Sequence, residues 1–224
     1  MSLRIVLLGP PGSGKGTLAQ TLSQALKVPH LSTGDIFRRE IAKRTPLGAT
    51  VQRYVESGRL VPDELVVRVM TQQLRASLLK RGFVLDGFPR TVGQAEGLDR
   101  YLTQRHQPLD GAMYLACSVR VLIVRLSGRR VCSACGAIYH VRNMPPKRAA
   151  VCDRCQGTLI TRKDDHVSTI KTRLAVDRTK VKPLLAYYRK RHALFQIDSN
   201  ETNAKTFRRV QRLFIRQGWV TRDR

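Results

Sequence analysis

A glycine-rich loop near the start of the chain has the residue types and spacing needed to bind phosphate. Residues 9–15, GPPGSGK, fit the pattern G-x-x-x-x-G-K. In such a loop, backbone N–H groups surround phosphate oxygens and the lysine reaches the outer phosphates. The generic pattern continues with Ser or Thr, whereas this chain has Gly16 and then Thr17. The loop predicts a phosphate-binding site, and the alternative is a glycine-rich turn without a ligand.

Four cysteines form a second group with the spacing of metal ligands. Cys132, Cys135, Cys152 and Cys155 make two C-x-x-C pairs, with sixteen residues between the pairs. This arrangement is typical of one tetrahedral zinc site. Four thiolates leave no position open for water, so we expect a structural zinc rather than a catalytic one. Free thiols or a disulfide are the alternative, and we expect the nearby His140 not to be a ligand.

A third pattern places an acid and an arginine directly after an apolar strand. The segment at 82–90 reads GFVLDGFPR, and Asp86 ends its apolar part. Beside a phosphate-binding loop, an acid in this position commonly positions Mg²⁺ through water. The alternative is that Asp86 caps the following turn. Arg90 is suited to hold a phosphoryl group through two hydrogen bonds.

The elements that must position these residues alternate between strand and helix. We predict strands at residues 4–9, within 29–35, and at 82–86, 111–117 and 194–198. We predict helices at residues 15–26, 35–44, 46–55, 62–80, 91–104, 119–128, 165–191 and 205–217. This alternation predicts an α/β fold with a parallel sheet covered on both faces. Ligands of such folds bind beyond the carboxyl ends of the strands, so the glycine-rich loop and Asp86 should face one crevice.

Composition and charge narrow the classes of protein. A chain of 224 residues with 42% hydrophobic content fits one large domain with small insertions. No apolar run approaches a membrane span, and residues 3–8 read as a strand rather than part of a signal peptide, so we expect a cytoplasmic protein. The net charge of +25 and pI of about 11.1 favour anionic partners, either nucleotides or nucleic acid. A basic proteome or an unusual cytoplasm would also explain this charge.

Six motifs occur in order along the chain: GPPGSGKGT, LSTGDIFR, GRLVPDELV, VLDGFPRT, GRRVC and TRKDD. Over residues 3–198 the chain resembles the adenylate kinases of the long, bacterial type, and Gly16 followed by Thr17 is that family's own form of the loop. The resemblance implies the P-loop nucleoside monophosphate kinase fold, with a parallel five-stranded sheet flanked by helices. It also implies a core of residues 1–31, 62–126 and 164–224, a helical AMP-binding flap at 32–61 and a zinc-stabilised lid at 127–163.

The same resemblance implies which residues form the site. Those that would hold ATP are Gly12, Ser13, Gly14, Lys15, Gly16, Thr17, Arg129, Ile138 and Tyr139. Those that would hold AMP are Thr33, Arg38, Arg59, Leu60, Val61, Gly87, Phe88, Pro89, Arg90, Gln94, Arg162 and Arg173. The catalytic set would be Lys15, Asp86, Arg90, Arg125, Arg129, Arg162 and Arg173. Asp164 and Asp165 would help to hold the closed state.

The implied reaction is reversible phosphoryl transfer from MgATP to AMP, giving two ADP. The attacking phosphate oxygen is already anionic, so alignment and charge stabilisation suffice and no general base is required. The arginines are far apart in sequence, and a closing motion would gather them and exclude water. The implied ligands are ATP, AMP, ADP, Mg²⁺ and a structural Zn²⁺. We expect a monomer with no membrane partner and no specific nucleic acid, although non-specific RNA binding could follow from the charge.

Two other functions stay open at this point. A related kinase would use GTP as donor or another nucleoside monophosphate as acceptor, although Thr33 and Gln94 favour an adenine acceptor. A nucleic-acid-binding zinc protein would explain the cysteines and the charge, but not the DGFPR and TRKDD motifs. Near the end of the chain, Arg208, Arg212 and Arg216 would form a basic stripe on one helix. That stripe could contact RNA or an acidic membrane, or be a solvated face.

Overall fold

The central feature of the protein is a five-stranded parallel sheet. The computed structural model describes residues 2–220, apart from the side chain of Val167. The strands in this part of the chain are β1 (Leu3–Leu8), β2 (His30–Ser32), β3 (Gly82–Asp86), β4 (Gly111–Ala116), β5 (Arg129–Cys132), β6 (Ile138–His140), β7 (Leu159–Ile160) and β8 (Leu194–Asp198). The central sheet has the order β2-β3-β1-β4-β8, and a small antiparallel sheet has the order β6-β5-β7.

Helices cover both faces of the central sheet. They are α1 (Lys15–Leu26), α2 (Thr33–Ala42), α3 (Pro46–Ser57), α4 (Asp63–Gln73), α5 (Ala76–Arg81), α6 (Val92–Thr103), α7 (Val119–Ser127), α8 (Val167–Lys190) and α9 (Asn203–Arg216). A short 3₁₀ turn spans Lys163–Asp165. This architecture confirms the predicted fold class. No described helix combines the length and the apolar character that crossing a membrane requires.

β1 lies at the centre of the sheet and divides the hydrophobic core into two clusters. Val6 and Leu8 belong to the larger cluster, which includes α4 and α6 side chains, whereas Ile5 and Leu7 belong to the smaller one, which includes α1 and α9 side chains. This alternation follows from the period of two in a strand. β1 pairs with β3 on one side and β4 on the other, so the chain reverses its winding direction there. Such a point is where α/β sheets bind ligands.

The prediction of one helix at 62–80 is wrong, because the structure has two helices, α4 and α5, in this segment. α4 ends at Gln73, and Leu74 leaves the helical conformation with φ −80° and ψ 62°. The Leu74 side chain is fully buried in the larger core cluster. The predicted start of α2 at residue 35 is also late, because the Ser32 hydroxyl accepts a hydrogen bond from Asp35 N at 3.3 Å and caps the helix earlier.

The end of the described chain packs against the sheet through Trp219, for which the sequence suggests no role. Its ring lies 5.3 Å from the Phe195 ring and 5.5 Å from the Phe214 ring, measured between centroids. The apolar face of α9, with Val210, Leu213 and Phe214, is buried in the same cluster. Met1 and residues 221–224, the outermost parts of the predicted core segments, lie outside the described residues.

The predicted lid, residues 127–163, contains the small antiparallel sheet and little core of its own. Its buried cluster has only five members: Cys132, Ala137, Tyr139, Cys152 and Leu159. A segment with so small a core needs a crosslink for stability. The predicted flap, residues 32–61, contains α2 and α3. These helices touch at Gly48, where a Cβ atom would lie 2.2 Å from Glu40 O, so only glycine allows their contact.

Candidate active site

One large cavity, of about 820 Å³, opens at the carboxyl ends of the central strands. The glycine-rich loop after β1 and Asp86 at the end of β3 both line it, as the sequence predicts. Arg129, Arg162 and Arg173 line it as well, together with Ile138 and Tyr139 of β6. Residues from four distant parts of the chain therefore meet at one place.

The glycine-rich loop, residues 9–17, has the conformation of a phosphate cradle, and we call it the P-loop. Gly12 and Gly14 have φ values of 84° and 96°, which other residues rarely adopt. Gly14 offers no side-chain cap to α1, so the backbone N–H groups at this helix start are free for a ligand. The buried hydroxyl of Ser13 also has no partner among the described residues. This arrangement suits an anion with several oxygen atoms.

Lys15 lies at the first position of α1 and points back into the P-loop. Its Nζ donates to Gly9 O at 2.6 Å and to Pro10 O at 2.9 Å. Burial lowers the pKa of Lys15 from 10.5 to about 8, although nearby Asp86 opposes this change. A phosphate group placed beside Lys15 would restore the pKa, because it would favour the charged ammonium.

Asp86 meets the requirements of a magnesium-positioning carboxylate. Its Oδ2 atom lies 3.3 Å from the place that a Cβ atom on Gly16 would occupy, so the carboxylate stands beside the P-loop. Within residues 2–220, no lysine or arginine forms an ion pair with it, and His30 Nε2 lies 3.9 Å from Oδ2. A carboxylate oxygen of this kind suits Mg²⁺. His30 also lines the cavity, and the sequence analysis does not predict it.

Two consecutive acids in the TRKDD motif hold two of the predicted arginines. Arg129 Nε donates to Asp165 Oδ2 at 2.7 Å, and Nη2 donates to Oδ1 of the same carboxylate. Arg173 Nη1 lies 2.9 Å from Asp164 Oδ2 and 3.3 Å from Asp165 Oδ1. Asp164 and Asp165 are buried, so these ion pairs are shielded from water. The acids bring together arginines that are 44 positions apart in sequence.

Arg162 completes a concentration of positive charge around the cavity. Its Nη2 lies 3.7 Å from Asp35 Oδ1, while its buried Nε has no partner among the described residues. Burial, with the neighbouring Arg38 and Arg129, lowers the pKa of Arg162 to about 10. Burial also lowers the pKa of Arg173 to about 10. Buried cations whose pKa is lowered in this way are suited to a polyanionic ligand.

Arg90 is held in place by its own loop. Its backbone N donates to Gln94 Oε1 at 2.8 Å, and its side-chain Nε donates to Gly87 O at 3.0 Å. Burial lowers the pKa of Arg90. Gln94 in turn donates from Nε2 to Asp63 Oδ1 at 2.8 Å. Gln94, predicted to bind AMP, thus also positions the backbone of Arg90.

A second, smaller cavity of about 70 Å³ adjoins the first on the side of α2 and α3. It brings together most of the residues predicted to hold AMP. They are Thr33, Arg38, Arg59, Leu60, Val61, Gly87, Arg90, Gln94 and Arg173. Phe88 is different, because its side chain is fully buried in the larger core cluster and lines neither cavity. Pro89 lines the large cavity instead.

Arg125 lies between the P-loop and the segment that follows β8. Its Nη1 donates to Ser13 O at 3.4 Å, and its Nη2 donates to Glu201 O. Residues 200–204 of that segment line the large cavity. The sequence analysis does not predict this wall, although a loop at the carboxyl end of a parallel strand is a natural place for one.

Asp177 is a further residue of the cavity wall that the sequence analysis does not predict. It lies on α8, four positions after Arg173, and therefore on the same face of the helix. Burial raises the pKa of Asp177, against the opposing attraction of Lys15 and Arg90. Helical spacing from Arg173 is the signal that could have identified it.

The four cysteines converge within the predicted lid. Their sulfur atoms all lie within 4.8 Å of one another, with Cys132 Sγ 3.4 Å from Cys155 Sγ and Cys135 Sγ 3.6 Å from Cys152 Sγ. Four sulfurs at about 2.3 Å from a zinc ion would be about 3.8 Å apart, so the cluster fits one tetrahedral ion. A Cβ atom on Gly157 would lie 3.1 Å from Cys132 Sγ, so glycine is needed beside the cluster.

His140 connects the cysteine-bearing sheet to α7, and its role as a non-ligand stays a prediction. Its Nδ1 accepts hydrogen bonds from Arg142 N and Asn143 N, both at 3.1 Å. Its Nε2 lies 3.1 Å from Val124 O and is the donor in the tautomer that these bonds require. Both ring nitrogens are thus occupied by protein atoms.

Comparison with known proteins agrees with the geometry. The adenylate kinase family profile matches residues 7–193. An adenylate kinase of Clostridium novyi (strain NT) is 43% identical over 208 residues, which are 93% of this chain and 96% of the relative. One from Clostridium botulinum (strain Hall) is 43% identical over 214 residues, 96% of this chain and 99% of the relative. One from Clostridium perfringens (strain 13) is 42% identical over 210 residues, with shares of 94% and 96%. The chain belongs to the adenylate kinase family.

Proposed function

We propose that the residues around the two cavities carry out the reaction of the family, the reversible transfer of a phosphoryl group from MgATP to AMP to give two ADP. The observation that carries this proposal is the convergence of the P-loop, Asp86 and the separate arginines on one cavity. The large cavity would take ATP at the P-loop, and AMP would enter between α2, α3 and the loop at 87–90.

In this mechanism the chain aligns two nucleotides and balances the charge that moves between them. Lys15 and the P-loop N–H groups would bind the ATP phosphates. Arg90, Arg162 and Arg173 would hold the AMP phosphate and the transferring group. The attacking AMP oxygen carries its own negative charge, so no side chain has to remove a proton. Arg129 would meet the transferring group from the lid side, where water is excluded.

Asp86 would position the magnesium ion through water. When bound with ATP, Mg²⁺ supplies positive charge to the phosphate oxygens. The role of Asp86 is to fix the place of that charge, because its carboxylate is already next to the P-loop and has no competing lysine or arginine partner in the described chain. Arg125 would support the ATP side through the carbonyls of Ser13 and Glu201.

We further propose three functional units: a core of residues 1–31, 62–126 and 164–224, a flap at 32–61 and a zinc-stabilised lid at 127–163. Cys132, Cys135, Cys152 and Cys155 would hold the zinc ion, which would fasten the lid without taking part in the reaction. Lys163 Nζ contacts Glu56 Oε1 of the flap at 3.1 Å, and this contact supports a lid and flap that meet above the site. All of the proposed site residues come from one chain, which suits a monomer.

The acceptor and donor assignments can be tested with purified protein and a coupled assay. We expect rapid ADP formation from ATP and AMP, with UMP and CMP at least 10-fold poorer as acceptors and GTP poorer than ATP as donor. If UMP outcompetes AMP, the proposed acceptor is wrong, and if GTP outcompetes ATP, the proposed donor is wrong. RNA binding that disappears by about 200 mM salt would indicate a non-specific effect of charge.

Affinity for MgATP should fall as the pH rises above about 8. Burial lowers the pKa of Lys15 to about 8, so the charged ammonium predominates below this pH and the neutral amine above it. Bound phosphate favours the charged form, so we expect the dissociation constant to increase up to about tenfold per pH unit between pH 8 and 10. Calorimetric titration from pH 7 to 9.5 measures this. Lys15→Arg should remove the pH dependence, because arginine stays charged, and an unchanged wild-type constant would contradict the prediction.

Replacement of Asp165 by asparagine should lower kcat by about 10- to 100-fold. Arg129 would lose the carboxylate that it binds through two hydrogen bonds, and Arg173 would lose one of its two acidic partners. Steady-state ADP formation measures the effect. The matched control is Glu56→Gln, whose exposed ion pair with Lys163 should contribute little, so that kcat changes less than twofold. Equal effects of the two substitutions would show that Asp165 has no special role.

A further inference from the structure

Tyr139 contacts both the nucleotide cavity and the cysteine cluster. It is the central residue of β6, is 7% exposed, and lines the large cavity. Its backbone pairs with Arg130 of β5, so the residue is fixed in the small sheet. Its hydroxyl lies 3.5 Å from Cys152 Sγ and accepts a hydrogen bond from Asp153 N at 2.8 Å. One side chain therefore joins the wall of the cavity to the second cysteine pair.

The direction of the bond between Tyr139 and Cys152 follows from the other partner. Because the hydroxyl oxygen accepts from Asp153 N, its hydrogen is available for the sulfur. A zinc-bound thiolate has no hydrogen and can only accept. Cys152 Sγ also accepts from Arg154 N at 3.4 Å, and its residue is fully buried. Hydrogen bonds of this kind orient a metal ligand and increase metal affinity.

We propose that Tyr139 is a positioning residue that couples nucleotide binding to zinc retention, an inference that rests on the zinc site proposed above. Its hydroxyl would hold Cys152 and the 152–155 turn against β6. A bound nucleotide that restricts the motion of β6 would, through Tyr139, also restrict the motion of the zinc ligand Cys152.

The contact between β6 and the P-loop supplies the other half of the coupling. Ile138 Cδ1, one residue before Tyr139, lies 3.6 Å from the place of a Cβ atom on Gly16. A nucleotide in the P-loop would therefore lie directly beneath β6 and restrain it. Because coupling between two binding sites is reciprocal at equilibrium, a nucleotide that increases the affinity for zinc must bind more tightly to the zinc-loaded protein.

The test is the rate of zinc release from the purified, zinc-loaded chain into a chromogenic chelator, with and without a non-hydrolysable ATP analogue and Mg²⁺. In the wild type we expect the analogue to slow release about tenfold. Tyr139→Phe should release zinc about 10- to 100-fold faster without nucleotide, and the analogue should then change its rate less than twofold. Tyr101→Phe is the matched control, because its hydroxyl donates to Leu74 O outside the lid, and it should behave as the wild type.

Three results would overturn the inference. In the first, the analogue does not change the rate of zinc release from the wild type. In the second, Tyr139→Phe releases zinc at the wild-type rate. In the third, Tyr139→Phe releases zinc faster, but the analogue still slows its release about tenfold. The first of these requires no substitution, so it remains decisive even if Tyr139→Phe fails to fold. Failure of the proposed zinc site can be distinguished from failure of this inference, because the purified wild type would then contain well under one zinc ion per chain.

Discussion

Replacement of Arg90 by lysine should lower kcat by about 10³-fold. Arg90 lines both cavities, so it stands where the two nucleotides would meet. Its Nε is occupied by Gly87 O at 3.0 Å, which leaves the two terminal nitrogens for phosphoryl oxygens. A lysine has one nitrogen and cannot bind the carbonyl and two phosphoryl oxygens in the same geometry. Loss of an arginine that stabilises transferring phosphate costs about 10³- to 10⁵-fold in rate.

The measurement is steady-state ADP formation with saturating ATP and AMP, together with a thermal melt that confirms folding. Arg208→Lys provides the matched control, because Arg208 lies on the exposed face of α9 and should tolerate the change within twofold. A loss of less than tenfold for Arg90→Lys would remove Arg90 from the catalytic set.

Replacement of Cys152 by serine should abolish zinc binding and destabilise the lid. The wild type should contain about one zinc ion per chain by elemental analysis, and the variant close to none, because serine is a poor ligand for zinc and Cys152 is the fully buried member of its pair. The lid has a buried cluster of only five residues, so the loss of the crosslink should cost about 3 kcal/mol or more. For a chain of this size that corresponds to a fall in Tm of about 10 °C.

Cys117→Ser is the matched control for this second prediction. It removes one thiol that lies outside the cluster, near Arg125, so zinc content should be unchanged. Limited proteolysis of the Cys152→Ser variant should cut first within residues 127–163. Zinc at one ion per chain in this variant, or a wild-type Tm that chelation leaves unchanged, would refute the proposed site.

The sequence predicts the central fold well because its signals are local. The bounds of β3, Gly82–Asp86, agree to the residue with the predicted strand, and α1 begins at Lys15 as the P-loop pattern requires. The break between α4 and α5 is not predictable in this way. It depends on the burial of Leu74 in a core built from distant residues. The lid strands β5, β6 and β7 are not predictable from sequence, because they have four, three and two residues, which is too short for a period to be visible.

Among the residues of the candidate site, those in short motifs are predictable from sequence, and those that depend on contacts between distant segments are not. Motifs identify Lys15, Asp86 and Arg90 because each occurs in a short pattern with a chemical meaning. They do not identify His30, Asp177 or residues 200–204, which reach the cavity only through the arrangement of strands and helices. The contact of Gln94 with Asp63, 31 positions away, is also invisible in sequence.

The acids of the protein are distributed in a way that bears on which anions it admits. The chain has 16 acids and 41 lysines and arginines, yet six of those acids surround the site: Asp35, Asp86, Asp164, Asp165, Asp177 and Glu201. Positive charge is therefore partly neutralised around the site, whereas Arg208, Arg212 and Arg216 on the exposed face of α9 form no ion pair within residues 2–220. A passing polyanion would be attracted to the outside. Inside the site, Asp164 and Asp165 hold Arg173 and Arg129 in fixed positions, so the site favours anions whose phosphates match those positions.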